Sequence, residues 1–485
     1  MQSQETDFDV AVVGGGASGA LVATHYREVA SFSQRLALVE ASGRLCRGAA
    51  YGTQLPGHLL NVPASRMSAY ANEPDHFAAW LAQHMADAKP DSYAPRMLFG
   101  DYLSEHLDKH APLWPEIVRV GGLVSRITRN DRRWVVHLAD GTHLTSRNVV
   151  LALGNLPPVD PVRFASGPPA GYVANPWRRD ALDGVPFDAP LLLAGTGLTM
   201  YDVVQTLRAQ GHRGSLYALS RHGRTPAARR GAWPRPLGSP APVGASPVQC
   251  LRWLRAEIDD AAREGYDWRT VVDGVRNRAA SIWSQWTIAQ KSSFLRHARS
   301  FWDAHRHRVA SQVHEQIEAL RRDGTLRILS GRLLSVVEAD AAPDGAYALE
   351  VRWRARGRTD EQAMSVARVV NCTGPATDYA RVDQPLVAQL RGAGWLVPDA
   401  LGLGVETDED GALVDRDGRR VPGLYAIGSM RRPGLWETTS IPEIRAQAAA
   451  LARQFAPAAA GSRARQRSVS QCSEVASADA SAAFG

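Results

Sequence analysis

The chain has 485 residues, of which 45% are hydrophobic and 22% charged, and this composition is ordinary for a globular enzyme of about three domains. The net charge of +7 comes almost entirely from arginine, because only three lysines occur, and no basic tract points to a nucleic-acid partner. The four cysteines lie far apart without a C-x-x-C pair, which disfavours a disulfide framework, a zinc site and a dithiol redox centre.

The sequence also contains no apolar run of about 18 residues, the length that a membrane-spanning helix needs. Acidic residues stand near the N-terminus, where a signal peptide would carry a basic region. We therefore expect a cytoplasmic protein without a membrane partner and without a metal.

The first predicted element is a short buried strand at residues 9–13 that runs directly into a glycine-rich turn. A helix follows the turn, and a second apolar run ends at an acid about 20 residues further on, which completes the fingerprint of a dinucleotide-binding unit. In that fingerprint the glycines allow a tight turn and close packing, the helix N-terminus holds the phosphates, and the acid accepts from ribose hydroxyls. The candidate cofactor-binding residues are Gly14, Gly16, Ala17, Ser18, Gly19 and Glu40.

A loop at 58–68 then mixes apolar and polar residues without a helical period. In flavin-binding folds of this type the segment after the ribose acid passes the isoalloxazine ring, so Asn61 and Arg66 are candidates for groups that face flavin or substrate. A polar loop that satisfies its own backbone is the alternative. Amphipathic helices are predicted at 75–83 and 97–110.

Strand-like runs at 117–129, 133–138 and 143–153 predict an antiparallel excursion. The last of these strands runs into Gly154, a further candidate for cofactor contact. Such an exit is typical of the point where the chain leaves its first domain, so we predict the first part of an FAD-binding domain over residues 1–157.

A second nucleotide unit begins with the strand at 191–194, which leads into Gly195 and Gly197. Met200 replaces the third glycine of the motif, but the next strand at 216–219 continues the pattern and ends at Arg221. An arginine in place of the acid suits a 2′-phosphate, so we predict FAD at the first unit and NADPH at the second. A solvated surface charge is the alternative interpretation of Arg221.

The NADPH-binding domain is predicted over 158–365, with a mostly helical insertion at about 225–325 that is rich in tryptophan. Core packing accounts for most of these aromatic residues. The polar residues Lys291, Arg296 and His297, with the run at 305–308, suggest a clamp for a phosphate or a substrate carboxylate, and a solvated basic face is an equal alternative.

The returning part of the FAD-binding domain is predicted over 366–456, and a disordered tail over 457–485. A capping box formed by Ser440 and Glu443 predicts a helix from 441 whose positive N-terminus would face the flavin and stabilise its anionic reduced form. The strand ends and this helix start add the candidate cofactor-binding residues Thr373, Gly374, Gly428, Ser429 and Ile441.

Several short motifs occur together in this chain: GGGASG at 14–19, RGAAYG at 47–52, HLLNVPA at 58–64, NPW at 175–177, GTGLTMYD at 195–202, RH at 296–297 with HRHR at 305–308, and LWETT at 435–439. With them the chain resembles a bacterial family of FAD/NAD(P)-binding flavoproteins with two dinucleotide-binding domains, related to class B and N-hydroxylating flavin monooxygenases. The resemblance implies an α/β fold with two Rossmann-like domains, one for FAD and one for NADPH, and a helical insertion.

The same resemblance implies an NADPH-dependent monooxygenase in which oxygen adds at the flavin C4a atom and one oxygen atom passes to a small-molecule substrate. Asn61, Arg66 and Lys291 are the candidate catalytic hydrogen-bond donors. Because the Baeyer–Villiger signature is absent, N-hydroxylation of a small amine or amino acid is the expected reaction.

Two departures and two alternatives accompany this expectation. Ser429 stands where related flavoproteins carry an aspartate that binds the ribityl chain, and the motif at 175–177 lacks the Baeyer–Villiger histidine. The alternatives are an NADPH-dependent reductase or oxidase on the same fold, and a non-catalytic flavin-binding sensor or assembly subunit.

Overall fold

A computed structural model of the chain describes residues 7–109, 115–230, 235–339 and 349–456; the tail predicted at 457–485 lies outside the described residues. The strands are β1 Asp7–Val13, β2 Arg35–Glu40, β3 Glu116–Gly121, β4 Val124–Arg129, β5 Trp134–Leu138, β6 His143–Leu151, β7 Tyr172–Val173, β8 Leu191–Ala194, β9 Leu216–Ser220, β10 Leu326–Glu338, β11 Leu349–Ala355, β12 Glu361–Val366, β13 Arg368–Asn371, β14 Ala412–Val414 and β15 Arg420–Ala426.

The helices are α1 Ala17–Val29, α2 Gly48–Tyr51, α3 His76–His84, α4 Arg96–Asp108, α5 Leu198–Ala209, α6 Pro247–Arg263, α7 Trp268–Arg276, α8 Ala279–Ser284, α9 Ile288–His297, α10 Arg299–Arg306, α11 Ser311–Arg322, α12 Pro385–Gly392, α13 Arg432–Leu435 and α14 Ile441–Phe455. Short 3-10 helices occur at Ala64–Arg66 and Gly428–Arg431. The helices predicted at 75–83 and 97–110 are confirmed as α3 and α4. Within the described ranges, no helix combines the length and the apolar character that crossing a bilayer requires.

The first sheet has the order β14-β15-β6-β1-β2-β3, with β4 and β5 attached beside β6. Strand β1 is parallel to both β2 and β6, and β15 is parallel to β6, so these four strands end at the same edge of the sheet. The carboxyl ends of parallel strands are where ligands bind in α/β sheets.

The prediction that residues 117–129 form one strand of an antiparallel excursion is wrong. The run at 117–129 contains two strands, and the first of them, β3, pairs parallel with β2 rather than joining an antiparallel excursion. The chain reverses after β3 through Gly122, whose φ is 150°, a value that side chains other than glycine rarely adopt. Only β4, β5 and β6 form the predicted antiparallel excursion.

The second sheet has the order β12-β11-β10-β9-β8-β13-β7, with β8 parallel to β9 and β13. Strand β13 lies in the segment that the sequence analysis gives to the FAD-binding domain from residue 366. Its buried residues Val369 and Val370 pair with β7 and β8, so the chain leaves the second sheet only after Asn371.

The helical insertion packs through its aromatic residues against the segment that follows β15. The rings of Trp283 and Trp436 stack at 4.6 Å, and Trp286, Phe294 and Trp302 surround them. For these residues the core-packing interpretation is confirmed. The insertion is thereby fixed against the returning part of the first sheet, where α13 and α14 begin.

Candidate active-site cleft

The first glycine turn follows β1 and is built so that only glycine fits at its start. Gly14 has a φ of 109°, and a Cβ on it would lie 2.3 Å from the carbonyl oxygen of Ala152. A Cβ on Gly19 would lie 2.0 Å from the Gly14 carbonyl oxygen, so α1 packs directly on the turn. Gly16 immediately precedes α1, whose first residues are Ala17 and Ser18. The predicted phosphate-facing residues therefore lie together at the helix N-terminus.

The acid at the end of β2 is held at this turn by backbone groups. The carboxylate of Glu40 accepts hydrogen bonds from the N–H of Gly15 at 2.9 Å and of Ser42 at 2.7 Å. The sequence pattern assigns no role to Gly15, yet a Cβ there would lie 2.6 Å from a methyl carbon of Leu45. Three consecutive glycines were the available signal, because a dinucleotide fingerprint needs only the outer two.

The turn after β15 meets the N-terminus of α1. A Cβ on Gly428 would lie 3.3 Å from the hydroxyl oxygen of Ser18. The Gly428 N–H donates to the side-chain oxygen of Gln447 at 3.0 Å, and its carbonyl accepts from the hydroxyl of Thr438 at 2.8 Å. Gln447 lies in no sequence motif, and Thr438 lies in the LWETT motif at 435–439 without a predicted role. Neither contact could be predicted, because both form only when α14 folds back on the turn.

Ser429 and Gly154, both predicted cofactor-binding residues, are in direct contact. The Ser429 hydroxyl donates to the Gly154 carbonyl oxygen at 2.7 Å. The serine that stands in place of an aspartate thus uses its proton within the protein and joins the end of β15 to the exit of β6.

Helix α14 begins at Ile441 as predicted, but the capping box is wrong. Instead of forming the box, Ser440 and Glu443 both bind Arg276 of α7, which donates to the serine hydroxyl and to the carboxylate at 2.7 Å each. Burial tends to raise the pKa of Glu443, but the charge of Arg276 and the hydrogen bonds from Arg276, the Ser440 hydroxyl and the backbone together outweigh it, so the pKa lies below its usual range. A guanidinium is a stronger donor than a backbone N–H, which explains the exchange.

The second glycine turn follows β8 and repeats the geometry of the first. Gly195 has a φ of 127°, and a Cβ on it would lie 2.3 Å from the carbonyl oxygen of Cys372 at the end of β13. The backbone nitrogen of Thr373, which precedes Gly374, lies 3.1 Å from the same Cβ position, so Thr373 lies beside this turn. Gly197 precedes α5 and has no atom within 4 Å of its Cβ position, which leaves open space at the helix N-terminus.

Arg221 is exposed directly after β9, in a group of basic residues that we call the basic corner: Arg221, His222, Arg224 and Arg356. Burial and the positive charges of the three arginines lower the pKa of His222. The Arg224 guanidinium stacks over the ring of Phe301 at 3.4 Å and donates to Ser300 at 2.6 Å. The basic corner therefore offers positive charge beside the exposed ring of Phe301.

A cleft of about 350 Å³ is lined by residues from both halves of the chain. The N-terminal residues of α5 and of α14 border it, as do Asn61, Arg66 and Trp177. The structure thus brings the predicted residues Asn61, Arg66 and Ile441 together.

Lys291, the third predicted catalytic residue, does not line this cleft. It belongs to α9, and its ammonium lies 5.0 Å from the centre of the Trp283 ring, within the aromatic cluster of the insertion. The prediction rested on nearness in sequence to other basic residues, whereas helix packing decides which of them face the cleft.

A buried ion pair connects the two halves at the cleft. Arg96, at the start of α4, donates both guanidinium ends to Asp202 of α5 at 2.8 and 3.1 Å. His58 donates to the Asp202 backbone carbonyl at 2.9 Å and accepts from the hydroxyl of Thr53, and burial lowers its pKa. No sequence pattern indicates this ion pair, because Arg96 and Asp202 lie far apart in the chain.

Comparison with protein families gives a match of residues 11–156 to a model described as FAD-NAD(P)-binding. The match identifies the first glycine turn and most of the first sheet as part of an FAD-NAD(P)-binding region. Comparison with curated proteins gives no significant match.

Solved structures similar to this chain include hydroxylases that cover nearly its whole length. The ornithine N-hydroxylase of Kutzneria sp. 744, with reduced FAD, NADP+ and L-ornithine, has a TM-score of 0.62 at 15% identity over 93% of this chain and 99% of that one. The reduced ornithine hydroxylase of Pseudomonas aeruginosa has a TM-score of 0.63 at 15% identity, with the same coverage. The L-lysine 6-monooxygenase of Pseudomonas syringae has a TM-score of 0.60 at 17% identity over 92% and 99%. The chain therefore has the two-domain α/β fold of these enzymes.

Proposed function

We propose that the chain is an FAD-dependent, NADPH-using monooxygenase that N-hydroxylates or oxidises a small amine or amino acid, with molecular oxygen as co-substrate. The observation that carries the proposal is the shared cleft, which the N-termini of α5 and α14 both border. A hydride donor held at one turn and an acceptor held at the other would meet there, and the fold of the similar hydroxylases agrees with this arrangement.

We assign FAD to the first turn because its residues fit the group. Gly14, Gly16 and Gly19 leave room for a pyrophosphate at Ala17 and Ser18, and Glu40 is held where a ribose would lie. Gly154, Gly428, Ser429 and Ile441 close the other side. When bound, FAD would supply hydride acceptance and the reaction with oxygen.

We assign NADPH to the second turn, at Gly195 and Gly197, with Thr373 and Gly374 beside them. The basic corner supplies Arg221 for a 2′-phosphate. With this assignment the FAD-binding domain comprises residues 7–157 and 372–456, and the NADPH-binding domain the residues between them.

Within the cleft we assign hydrogen-bonding roles to Asn61 and Arg66. The backbone carbonyl of Asn61 accepts from the guanidinium of Arg229 at 2.9 Å, which fixes the loop and leaves the amide side chain for a ligand. These residues orient a substrate and exclude water, while the cofactors carry the redox chemistry.

The test begins with the purified protein, its bound flavin and its rate of NADPH oxidation. Amines, amino acids and ketones are then supplied with isotopically labelled oxygen, and product masses are recorded. We expect one labelled oxygen atom in the product of an amine or amino acid. Protein that stays colourless when FAD is supplied contradicts the proposal, and NADPH oxidation that yields only peroxide with every compound identifies a reductase or oxidase instead.

A further inference from the structure

The lining of the cleft is unusually rich in arginine. Six arginines border it: Arg66, Arg96, Arg229, Arg276, Arg306 and Arg308. Three of them have a carboxylate each, because Arg96 pairs with Asp202, Arg276 with Glu443 and Arg306 with Glu437.

The other three, which we call the arginine triad (Arg66, Arg229 and Arg308), converge on one carboxylate. Arg308 contacts one oxygen of Asp273, and guanidinium nitrogens of Arg229 and Arg66 lie 3.5 and 3.7 Å from the other. Asp273 is only 5% exposed. The two buried members alone, Arg229 and Arg308, carry two positive charges, whereas Asp273 carries one negative charge.

The excess charge is buried and incompletely bonded. Arg308 is 1% exposed, and two of its nitrogens, Nε and Nη1, have no hydrogen-bond partner in the described structure. Burial, together with the neighbouring charge of Arg308, lowers the pKa of Arg229 to about 10. One carboxylate cannot neutralise two buried guanidinium groups, and burying uncompensated charge is destabilising, so the site favours the binding of an anion.

Among the described residues that line it, the cleft has no unpaired carboxylate that could bind a cation. The carboxylates among its described lining residues are Asp202 and Glu437, and both are already paired with arginine. The ammonium group of a cationic substrate would meet excess positive charge without a free acid to bind it.

We propose that the substrate is a small amine or amino acid of net negative charge, and that the arginine triad binds its carboxylate or a comparable oxyanion. This inference rests on the proposed function and narrows its substrate class. Arg229 also donates to the backbone carbonyl of Asn61, so the anion would lie beside the loop that we assign to the flavin side of the cleft.

The test uses three compounds of equal carbon number that differ in charge: glutarate, its neutral diamide and the diamine cadaverine. Each is titrated into the FAD-loaded enzyme, and the flavin absorption spectrum and the Tm are followed. We expect glutarate to bind at least tenfold more tightly than the diamide, and cadaverine to bind more weakly still. Equal binding of the three, tighter binding of cadaverine or no binding of glutarate overturns the inference.

Variants locate the effect. Arg229→Gln is expected to weaken glutarate binding about tenfold without changing diamide binding, and Arg229→Lys to recover part of the loss. Arg66→Gln, at a less buried position, is expected to act in the same direction if Arg229→Gln does not fold. The matched control is Arg354→Gln. Arg354 lies on β11 and forms an exposed ion pair with Glu361 of β12, away from the cleft lining.

The dissociation constant of NADPH, measured from anaerobic flavin reduction, separates the coenzyme from the substrate. We expect it to stay unchanged in the triad variants. A rise in this constant with unaltered glutarate binding would place the triad in the coenzyme site and overturn the inference. If the wild-type protein does not bind FAD, or if NADPH does not reduce its flavin, the result contradicts the proposed function and not this inference.

Discussion

Gly14 in the first turn and Gly195 in the second turn solve the same packing problem in the same way. Both have a positive φ, and for both the missing Cβ would lie 2.3 Å from a carbonyl oxygen at the end of a neighbouring parallel strand. The two turns differ five residues later. At Gly19 the absence of a side chain lets α1 pack directly on the first turn. At the equivalent position of the second unit, the Met200 side chain is fully buried in the core of the second domain.

This difference shows which parts of the dinucleotide motif are fixed by backbone sterics. The first glycine must be glycine in both units, because a strand lies against it. The third position accepts a large side chain when α5 packs against its sheet through a methionine. Opposite charges then stand at the end of the second strand, Glu40 in one unit and Arg221 directly after the strand in the other, and in our proposal this charge distinguishes FAD from NADPH.

The largest effect is expected from Met200→Gly, which completes the sequence motif and removes a buried side chain. We expect the free energy of unfolding to fall by about 3 to 5 kcal/mol, because a core cavity and a helical glycine are both destabilising. Urea denaturation measures the change. Met200→Leu is the control and should cost less than about 1.5 kcal/mol; a neutral Met200→Gly would show that the helix can approach the turn as α1 does.

Gly14→Ala should destabilise the protein by about 3 kcal/mol, because alanine is strained at this φ and its Cβ meets a carbonyl. Retained FAD absorbance and the unfolding midpoint in urea report the effect. Gly121→Ala, in the same sheet but with no atom within 4 Å of its Cβ position, should change the unfolding free energy by no more than about 0.5 kcal/mol. Similar behaviour of the two variants would contradict the steric argument.

Arg221→Ser should weaken NADPH binding about tenfold and leave NADH binding unchanged, because one charge-assisted contact to the 2′-phosphate is lost. Flavin reduction at varied concentrations of each coenzyme measures both constants. Arg213→Ser removes another exposed arginine of the same domain and is the control. An equal change for NADPH and NADH would remove Arg221 from the 2′-phosphate site.

The smallest effect concerns His58, which links the loop after the first turn to α5. Its pKa is lowered from the ordinary value of 6.5 by burial, so the unfolded chain binds the proton more readily. The stability that His58 contributes is therefore complete above pH 6.5 and is lost as the pH falls through the lowered pKa.

The measurement is the Tm of wild type and of His58→Gln across this pH range. The difference between the two proteins should shrink towards acid pH, which separates His58 from the other histidines that titrate in both. A difference that stays constant with pH would exclude protonation of His58 as the cause.

Much of the candidate site was predictable where it depends on short segments. The turn at Gly14, the acid Glu40 and the start of α14 each follow from fewer than about 40 consecutive residues. Arg66 was placed at the cleft because its loop follows the first unit. Lys291 was misplaced because the position of α9 depends on the stacking of Trp283 with Trp436.

The errors have a common cause in contacts between distant segments. A capping box at Ser440 is a local inference, and Arg276 of another helix displaced it. Strand β13 looked like the return to the first sheet, but its pairing depends on which sheet has a free edge beside β8. Neither Arg276 as the partner of Ser440 nor β8 as the partner of β13 can be identified from residues close by in the sequence.

By itself the sequence determined two strand–glycine–helix units and the opposite charges that end their second strands, because φ preference, helix periodicity and close packing act within each unit. Only the tertiary structure decided which charges meet. Arg66, Arg229 and Arg308 come from three separate segments and converge on Asp273 in a fourth. Burial and the balance of charge at that point depend on the whole fold, and they set the chemistry of what the cleft can bind.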